Sequence, residues 1–243
     1  VEFPYALKTL ILQAYYNLNI DTEVFGAGKQ ALEIIKAGRE SPSVAVRTSG
    51  SLLLEHDFPQ SFLGVRGIHE LFVFIKKAWS DYFLTYAKYL TLETFLYPTV
   101  IIQKMINSEV SGVIYTGKKL VVEALIGFEL ADVLKDQYVL NKDSLEILEK
   151  KINKQEFMLV KDVNLSRNIK KPLGAAGEKQ KLDDFSIIKA GKCAKEIENF
   201  FSVSYDLEFA FERGNLFILE AKPVVEKISL LEEKIEVKEE IVE

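Results

Sequence analysis

The chain has 243 residues, of which 48% are hydrophobic and 28% are charged, a composition typical of one large globular domain or two tightly joined subdomains. Its net charge of -5 argues against a protein that binds duplex nucleic acid, because such proteins neutralise phosphates with clustered Lys and Arg. No apolar run is long enough to span a bilayer, and the single cysteine, Cys193, excludes an internal disulfide, so we expect a cytoplasmic protein without a membrane partner.

Helical patterns dominate the first part of the chain. Apolar residues at helical spacing predict helices over residues 4–19, 29–37 and 68–97, the last with a break near Ser80 or Thr91. β-Branched residues predict one strand over residues 43–48, followed by irregular chain through Gly67. We therefore expect a subdomain of helices and a small strand over residues 1–97.

An arginine stands where this predicted strand ends. Arg47 precedes the sequence TSGS, and a guanidinium beside small hydroxyl residues and backbone N–H groups suits phosphate binding. The alternative is an arginine in a surface ion pair. The sequence GAGK at residues 26–29 resembles a phosphate loop, but it lacks the earlier glycine and the following Ser or Thr of a Walker motif, and we interpret it as a turn.

Strand patterns dominate after Pro98. Turn residues separate predicted strands at residues 99–106, 112–116, 120–125, 137–141, 145–152 and 155–161. Residues 162–182 contain one Pro, two Gly and several Lys and are predicted to form a mobile loop, and residues 183–201 are predicted to form an amphipathic helix. We expect a β-rich subdomain over residues 98–225 and a charged tail or linker over residues 226–243.

The last regular element, residues 204–223, is predicted to be a β-hairpin. Apolar and polar residues alternate in two runs on either side of a turn at residues 213–215. If Phe211 lies opposite Phe217, the large apolar residues share one face of the hairpin. The apolar pattern favours this register.

The same register brings two carboxylates together. Glu208 then lies directly opposite Glu220, whereas a two-residue turn would pair Glu208 with Ala221. Directly opposed like charges destabilise a sheet, so the pair is easier to explain if a divalent cation lies between them. The alternative is a solvent-facing strand pair whose acids never meet.

Several segments, in this order, resemble one family. VAVRTS at residues 44–49 is similar to VAVRSS, DFPQSF at residues 57–62 to DLPxASF, QKMINSEVSGVIYT at residues 103–116 to QRMVNSDVSGVMFT, and the final hairpin to DIEWA followed by LQARP. Together they resemble the nucleotide-binding, ATP-grasp-type domain of phosphoenolpyruvate synthase and pyruvate phosphate dikinase over about residues 43–223. The resemblance implies an α+β, ATP-grasp-like fold with a helical part and a mixed, mainly antiparallel sheet.

The resemblance also implies which residues hold the nucleotide. Arg47 would contact the ATP phosphates as a catalytic cation. The strand of Gln103, Lys104, Met105 and Ile106 would lie against adenine, with backbone groups of Lys104 and Met105 reading its edge. Glu123, in a segment similar to IEAxxGLGE, would line the nucleotide pocket.

In the hairpin, the resemblance implies a metal site. Glu208 and Glu220 would hold Mg²⁺ on the phosphates, and Lys222 would be a second catalytic cation. The family pattern has glutamine where Glu220 stands and arginine where Lys222 stands. A carboxylate still binds Mg²⁺, whereas lysine keeps the charge and loses the bidentate fork.

The implied function is that of an ATP- and Mg²⁺-binding phosphotransferase domain, which passes a phosphoryl group from ATP to a histidine on a separate domain. A phosphohistidine domain and a pyruvate-binding barrel would be its partners, so we expect the chain to be incomplete as an enzyme alone. Residues 50–55 replace the acids that follow VRSS in the family. This departure keeps open a degenerate, non-catalytic module used for protein interaction, and an antibiotic-phosphorylating relative is a third possibility.

Overall fold

The structure, a computed structural model, describes residues 2–18, 41–49, 61–86, 99–128, 133–162 and 167–224. The chain divides into two compact units, Val1–Met105 and Ile106–Glu243. Helices occur in both units, and every strand pairing in the described ranges is antiparallel, which confirms an α+β fold with mainly antiparallel sheets. None of the described helices has the length and apolar character needed to cross a membrane. The predicted helix at residues 29–37, the GAGK turn and the charged tail lie outside the described residues.

The first unit packs two helices against a three-stranded sheet of order β2-β1-β3. Its elements are α1 (Tyr5–Asn17), β1 (Ser43–Ser49), β2 (Phe62–Arg66), α2 (Ile68–Tyr86) and β3 (Thr99–Lys104). Val44 and Val46 of β1 are buried with residues of both helices. The buried hydroxyl of Tyr15 donates to the carbonyl oxygen of Pro42 at 2.6 Å and accepts from the Gly67 amide at 2.9 Å. This phenol therefore ties α1 to the residue before β1 and the residue after β2, which lie at the same end of the sheet.

Three predictions for this unit need correction. The stretch predicted to be irregular contains β2, whose apolar alternation is interrupted by Gly64 with a φ of 73° and whose pairing with β1 shifts register between Val44 and Val46. The helix has no break near Ser80, because α2 continues to Tyr86 and its core-facing residues continue through Tyr82, whereas the alternative break near Thr91 lies outside the described residues. The expected division after residue 97 differs from the structure, since β3 pairs with β1 over its whole length.

The second unit is built on a six-stranded sheet of order β11-β10-β4-β5-β6-β7. Its strands are β4 (Val110–Tyr115), β5 (Leu120–Ile126), β6 (Asp136–Leu140), β7 (Ile147–Lys151), β10 (Tyr205–Glu212) and β11 (Asn215–Pro223), and a separate hairpin consists of β8 (Phe157–Asp162) and β9 (Arg167–Pro172). Helix α3 (Asp184–Phe201) buries Ile187, Ala190 and Ala194 in one core with residues of the sheet. Side chains alternate along a strand, so the strand residues next to each core-facing residue lie on the face of the sheet opposite α3.

Helix α3 was predicted within one residue of its observed start. Asp183 caps it, since its carboxylate accepts a hydrogen bond from the Ser186 amide at 2.7 Å. In contrast, the predicted loop at residues 162–182 contains β9 and a 3-10 helix, Gly174–Glu178. The sequence RNIKKP of β9 has no strand alternation, and it becomes a strand because β8 pairs with it.

A buried ion pair fixes the chain between the 3-10 helix and α3. The Lys181 ammonium lies 3.0 Å from the Asp136 carboxylate, and both side chains are 0% exposed. The Asp136 carboxylate also accepts hydrogen bonds from the Tyr138 hydroxyl at 2.8 Å and the Asn153 amide at 2.9 Å. The Lys181 ammonium donates to the Gly177 carbonyl oxygen at 2.9 Å and to that of Asn153. These bonds offset the cost of removing both charges from water.

We expect the substitution Lys181→Met to lower the free energy of unfolding of the second unit by about 3–5 kcal/mol, because it leaves the Asp136 charge buried without its ion-pair partner. Lys150→Met is the matched control, since Lys150 pairs with Asp184 where the two side chains are 34% and 60% exposed. That exposed pair should contribute little. Chemical denaturation measures both variants, and equal losses would contradict the distinction.

Candidate functional site

The hairpin of β10 and β11 places Glu208 directly opposite Glu220, as predicted. The turn, however, has two residues, Arg213 and Gly214, with φ angles of 51° and 73°. Positive φ at both central positions is the geometry of a type I′ hairpin turn. Phe211 consequently lies opposite Leu216, so the predicted turn and the predicted Phe211 partner were wrong.

A β-bulge between the turn and the two acids restores the predicted pairing of Glu208 with Glu220. Phe209 pairs with Ile218, but the next pair is Glu208 with Glu220, so Leu219 is the extra residue on β11. Strand β11 ends the sheet, and bulges concentrate at sheet edges and beside functional sites. Because the two-residue turn lies at Arg213 and Gly214, Glu208 would lie opposite Leu219, rather than Ala221, without this bulge, and the acids would face away from each other.

Lys222 lies within ion-pair distance of both acids. Its ammonium is 3.5 Å from Glu208 Oε1 and 3.4 Å from Glu220 Oε2, and the three side chains are 31–39% exposed. Asp206 lies directly opposite Lys222, and burial raises the pKa of its carboxyl while the Lys222 charge acts in the opposite direction. This group of four residues, which we call the acid cluster, therefore combines three carboxylates with one ammonium.

The acid cluster has the chemistry of a site for a divalent cation that arrives with a phosphate ligand. Mg²⁺ is commonly bound through one or two carboxylates, with water and phosphate oxygens completing its shell. Within the described ranges, no group of three or more His, Cys, Asp or Glu side chains has the geometry to hold a metal. The residues present thus fit a site in which protein carboxylates and ligand phosphates bind the cation together, rather than a metal centre made of protein ligands alone.

Glu123 lies on the same face of the sheet, on β5. Only β4 separates β5 from β10, which puts the two strands about 10 Å apart. The Glu123 carboxylate accepts from Gln137 Nε2 at 3.3 Å and from the Tyr115 hydroxyl at 3.5 Å, and the Lys135 ammonium is 4.0 Å away. The carboxylate side chain is 25% exposed. It is therefore held by three neighbours and still accessible.

A glycine allows β4 and β5 to approach each other beside Glu123. A Cβ atom at Gly112 would lie 1.8 Å from the Glu123 carbonyl oxygen, a backbone atom that cannot move aside. Any side chain at residue 112 would push the two strands apart. The close approach of β4 and β5 thus requires the glycine in the segment QKMINSEVSGVIYT.

In the first unit, Arg47 and Gln103 share one face of the three-stranded sheet. Arg47 lies opposite Ile101 and Gln103 lies opposite Ala45, so the two polar residues are diagonal neighbours. The alternate residues of β1 point towards the helices. Arg47 and Gln103 therefore lie on the face away from α1 and α2.

The backbone groups of Lys104 and Met105, which were predicted to hydrogen-bond with the edge of adenine, point in different directions at the end of β3. The Met105 amide donates to the Ser43 carbonyl oxygen at 2.9 Å, so this donor is used within the sheet. In an antiparallel pair the hydrogen-bonding direction alternates, and the Lys104 amide and carbonyl therefore point away from β1, towards the outer edge of β3. Lys104 has the orientation that edge recognition needs, whereas the Met105 amide does not. Ile106 begins the second unit.

The sequence matches the family described as "Pyruvate phosphate dikinase, AMP/ATP-binding domain" over residues 5–241. The chain belongs to this family. The resemblance found in the sequence motifs is therefore confirmed, and the chain is a nucleotide-binding domain of a phosphoenolpyruvate synthase-like enzyme.

Several proteins named as phosphoenolpyruvate synthases are similar to this family member. The phosphoenolpyruvate synthase of Pyrococcus furiosus is 28% identical over 90% of this chain and 30% of its own length. The probable phosphoenolpyruvate synthases of Archaeoglobus fulgidus and Methanocaldococcus jannaschii are 30% and 27% identical over 82% and 92% of this chain, and over 29% and 19% of their own lengths. The chain thus spans about a fifth to a third of the length of these relatives.

Four contacts of this AMP/ATP-binding domain were missed from the sequence. Asp206 alternates with Glu208 and could have been placed on the same face by strand periodicity alone. Tyr115 and Gln137 lie on strands whose registers with β5 were not predicted, and Lys135 precedes its strand. Their approach to Glu123 depends on how three separate segments pack.

The acid cluster predicts a specific stability effect. Lys222→Met should lower the free energy of unfolding of the second unit by about 1 kcal/mol at low ionic strength, because it leaves two directly opposed carboxylates without their common cation. Adding Glu220→Gln to this variant should recover most of the loss, since one of the two charges is then removed. Thermal denaturation of both variants measures this, and a K222M melting temperature equal to that of the unchanged chain would contradict it.

Proposed function

We propose that this domain binds ATP together with Mg²⁺ and presents the terminal phosphoryl group to a histidine on a separate domain. The observation that carries the proposal is the acid cluster: Glu208 lies directly opposite Glu220, and Lys222 lies within 3.5 Å of both. These charges occupy the face of the sheet opposite α3 in a member of an AMP/ATP-binding family. Opposed carboxylates at such a position are costly unless they serve a cation.

In this proposal, the hairpin supplies the charges that phosphoryl transfer requires. Glu208 and Glu220 would hold Mg²⁺, and the bound ion would neutralise phosphate oxygens so that a nucleophile can approach. Lys222 would act as a second positive charge on the same phosphates. A lysine does so as a point charge with three donors, without the planar fork of arginine.

The family resemblance also implies nucleotide contacts for residues outside the hairpin. Arg47 would supply a guanidinium for the phosphates, and the outward-pointing backbone groups of Lys104 match the donor and acceptor on the edge of adenine. Gln103 on β3, with Met105 and Ile106 after the end of that strand, would lie against the base. An ionised Glu123 only accepts hydrogen bonds, so it would meet the hydroxyl or amino donors of ATP rather than its phosphates.

The length of the relatives leaves room for the proposed partner domains. Proteins named as phosphoenolpyruvate synthases are three to five times longer than the segment they share with this chain. We propose that a swivelling phosphohistidine domain accepts the phosphoryl group and that a pyruvate-binding barrel receives it from there.

One observation favours a second function, a non-catalytic module used for protein interaction. Lys222 already neutralises part of the charge of Glu208 and Glu220 with no metal ion involved. A hairpin balanced in this way could be retained as scaffold. Transfer of phosphate from ATP to the histidine of a supplied swivelling domain would rule this alternative out.

Calorimetric titration of the purified chain with ATP, in the presence and absence of Mg²⁺, tests the proposal. We expect Mg²⁺-dependent binding, and we expect Glu208→Gln to weaken it at least about tenfold, because the variant loses a charged metal ligand. Glu149→Gln on β7 is the matched control, since it removes a carboxylate from the same sheet face, away from the hairpin. Its affinity should match that of the unchanged chain.

Two results would count against the proposal. If no binding is detected at millimolar ATP with Mg²⁺, the chain does not bind nucleotide by itself. If Glu208→Gln binds as tightly as the unchanged chain, the acid cluster is scaffold.

A further inference from the structure

Three donor groups surround the carboxylate of Glu123. Gln137 Nε2 approaches Oε1 at 3.3 Å, while the Tyr115 hydroxyl and the Lys135 ammonium approach Oε2 at 3.5 Å and 4.0 Å. These donors come from β4, from β6 and from the residue that precedes β6. Two segments of the chain, β4 and residues 135–137, thus converge on one carboxylate.

These contacts are longer than ordinary hydrogen bonds, which mostly measure 2.7–3.2 Å. A carboxylate has about four acceptor positions, and contacts in a ligand-binding site are often long before the ligand arrives and shorten afterwards. The Glu123 side chain is 25% exposed, so a further donor can reach it. The arrangement orients the carboxylate without using all of its capacity.

Tyr115 lies in the sheet between Glu123 and the acid cluster. Tyr115 lies directly opposite Asp206 on β10, and Asp206 lies directly opposite Lys222 on β11. Tyr115 therefore places a hydroxyl beside Glu123 and is a cross-strand neighbour of the acid cluster.

The charge of Lys135 has a separate consequence. ATP is strongly anionic, and an isolated carboxylate in its pocket would repel it. The Lys135 side chain is only 16% exposed and lies beside Glu123, where its charge reduces that repulsion. Lys135 thus permits a carboxylate acceptor to remain in a site for a polyphosphate.

We propose that Tyr115 and Lys135 are positioning residues of the nucleotide site, which hold the Glu123 carboxylate ready to accept a hydrogen bond from the nucleoside part of the ligand. Tyr115 fixes the direction of Oε2, and Lys135 offsets its charge. This inference rests on the proposed ATP binding. It assigns no chemical step to either residue, because both act through Glu123.

A double-mutant cycle tests the proposal with MgATP as the probe. Tyr115→Phe and Lys135→Met are each made in the unchanged chain and in Glu123→Gln, and affinities are measured by calorimetry. We expect each single substitution to weaken binding about fivefold in the unchanged chain and to have almost no effect beside Glu123→Gln. Lys151→Met is the control. Lys151 lies on β7, opposite Gln137 of β6, so this variant removes a lysine that is farther from Glu123.

Ionic strength separates the two roles. The loss caused by Lys135→Met should shrink as salt is added, whereas the loss caused by Tyr115→Phe should persist, because only the former removes a charge. For Tyr115, the coupling with Glu123→Gln rather than the salt dependence distinguishes positioning from a purely structural role. Tyr115→Phe deletes a single oxygen, so the test does not depend on a variant that disrupts folding.

The possible results are distinguishable. Losses that add to that of Glu123→Gln, or unchanged affinities, would overturn the positioning role and leave ATP binding intact. If the unchanged chain itself does not bind MgATP, both the proposed function and this inference fail. Coupled losses together with the contrasting salt dependence would support the inference.

Discussion

The packing of α3 on one face of the six-stranded sheet decides which side chains can meet in the site. A strand exposes its residues alternately, so burying Ile114, Val122 and Leu207 in the core sends their neighbours to the other face. Tyr115, Glu123 and Glu208 are such neighbours, on three different strands. Burial of the core residues therefore places the acid cluster and the Glu123 contacts on the same side of the sheet.

The two lysine–carboxylate groups of this unit show how burial changes the role of an ion pair. Lys181 and Asp136 are withdrawn from water and held by further hydrogen bonds, so their contact is part of the fold. Lys222 and its partners are about one-third exposed, and water and ions compete with their contact. The first pair resists exchange, whereas the second can give up its partners to an incoming ligand.

Strand alternation was sufficient to predict the hairpin, and helical periodicity was sufficient to predict α3, because each depends on local pattern. The pairing of Glu208 with Glu220 was also predicted, although the register near the turn was not. The turn and the Phe211 partner could not be predicted, since the two-residue turn and the Leu219 bulge shift the register in opposite senses and cancel at the acids. Strands β2 and β9 were missed because pairing with a neighbour, rather than their own pattern, makes them strands. The donors around Glu123 come together only through tertiary packing.

The hairpin has two regions that are held differently. Strand β10 pairs with β4 on both sides of the bulge, from Asp206 to Phe211, and the ladder from Glu208–Glu220 to Tyr205–Pro223 is regular. Only the tip of the hairpin, from Glu212 to Asn215, extends beyond the residues that pair with β4. The tip at Arg213 and Gly214 is exposed, so it is the place where a fluorescent label or a short inserted peptide could be carried while the spacing of the carboxylates is preserved.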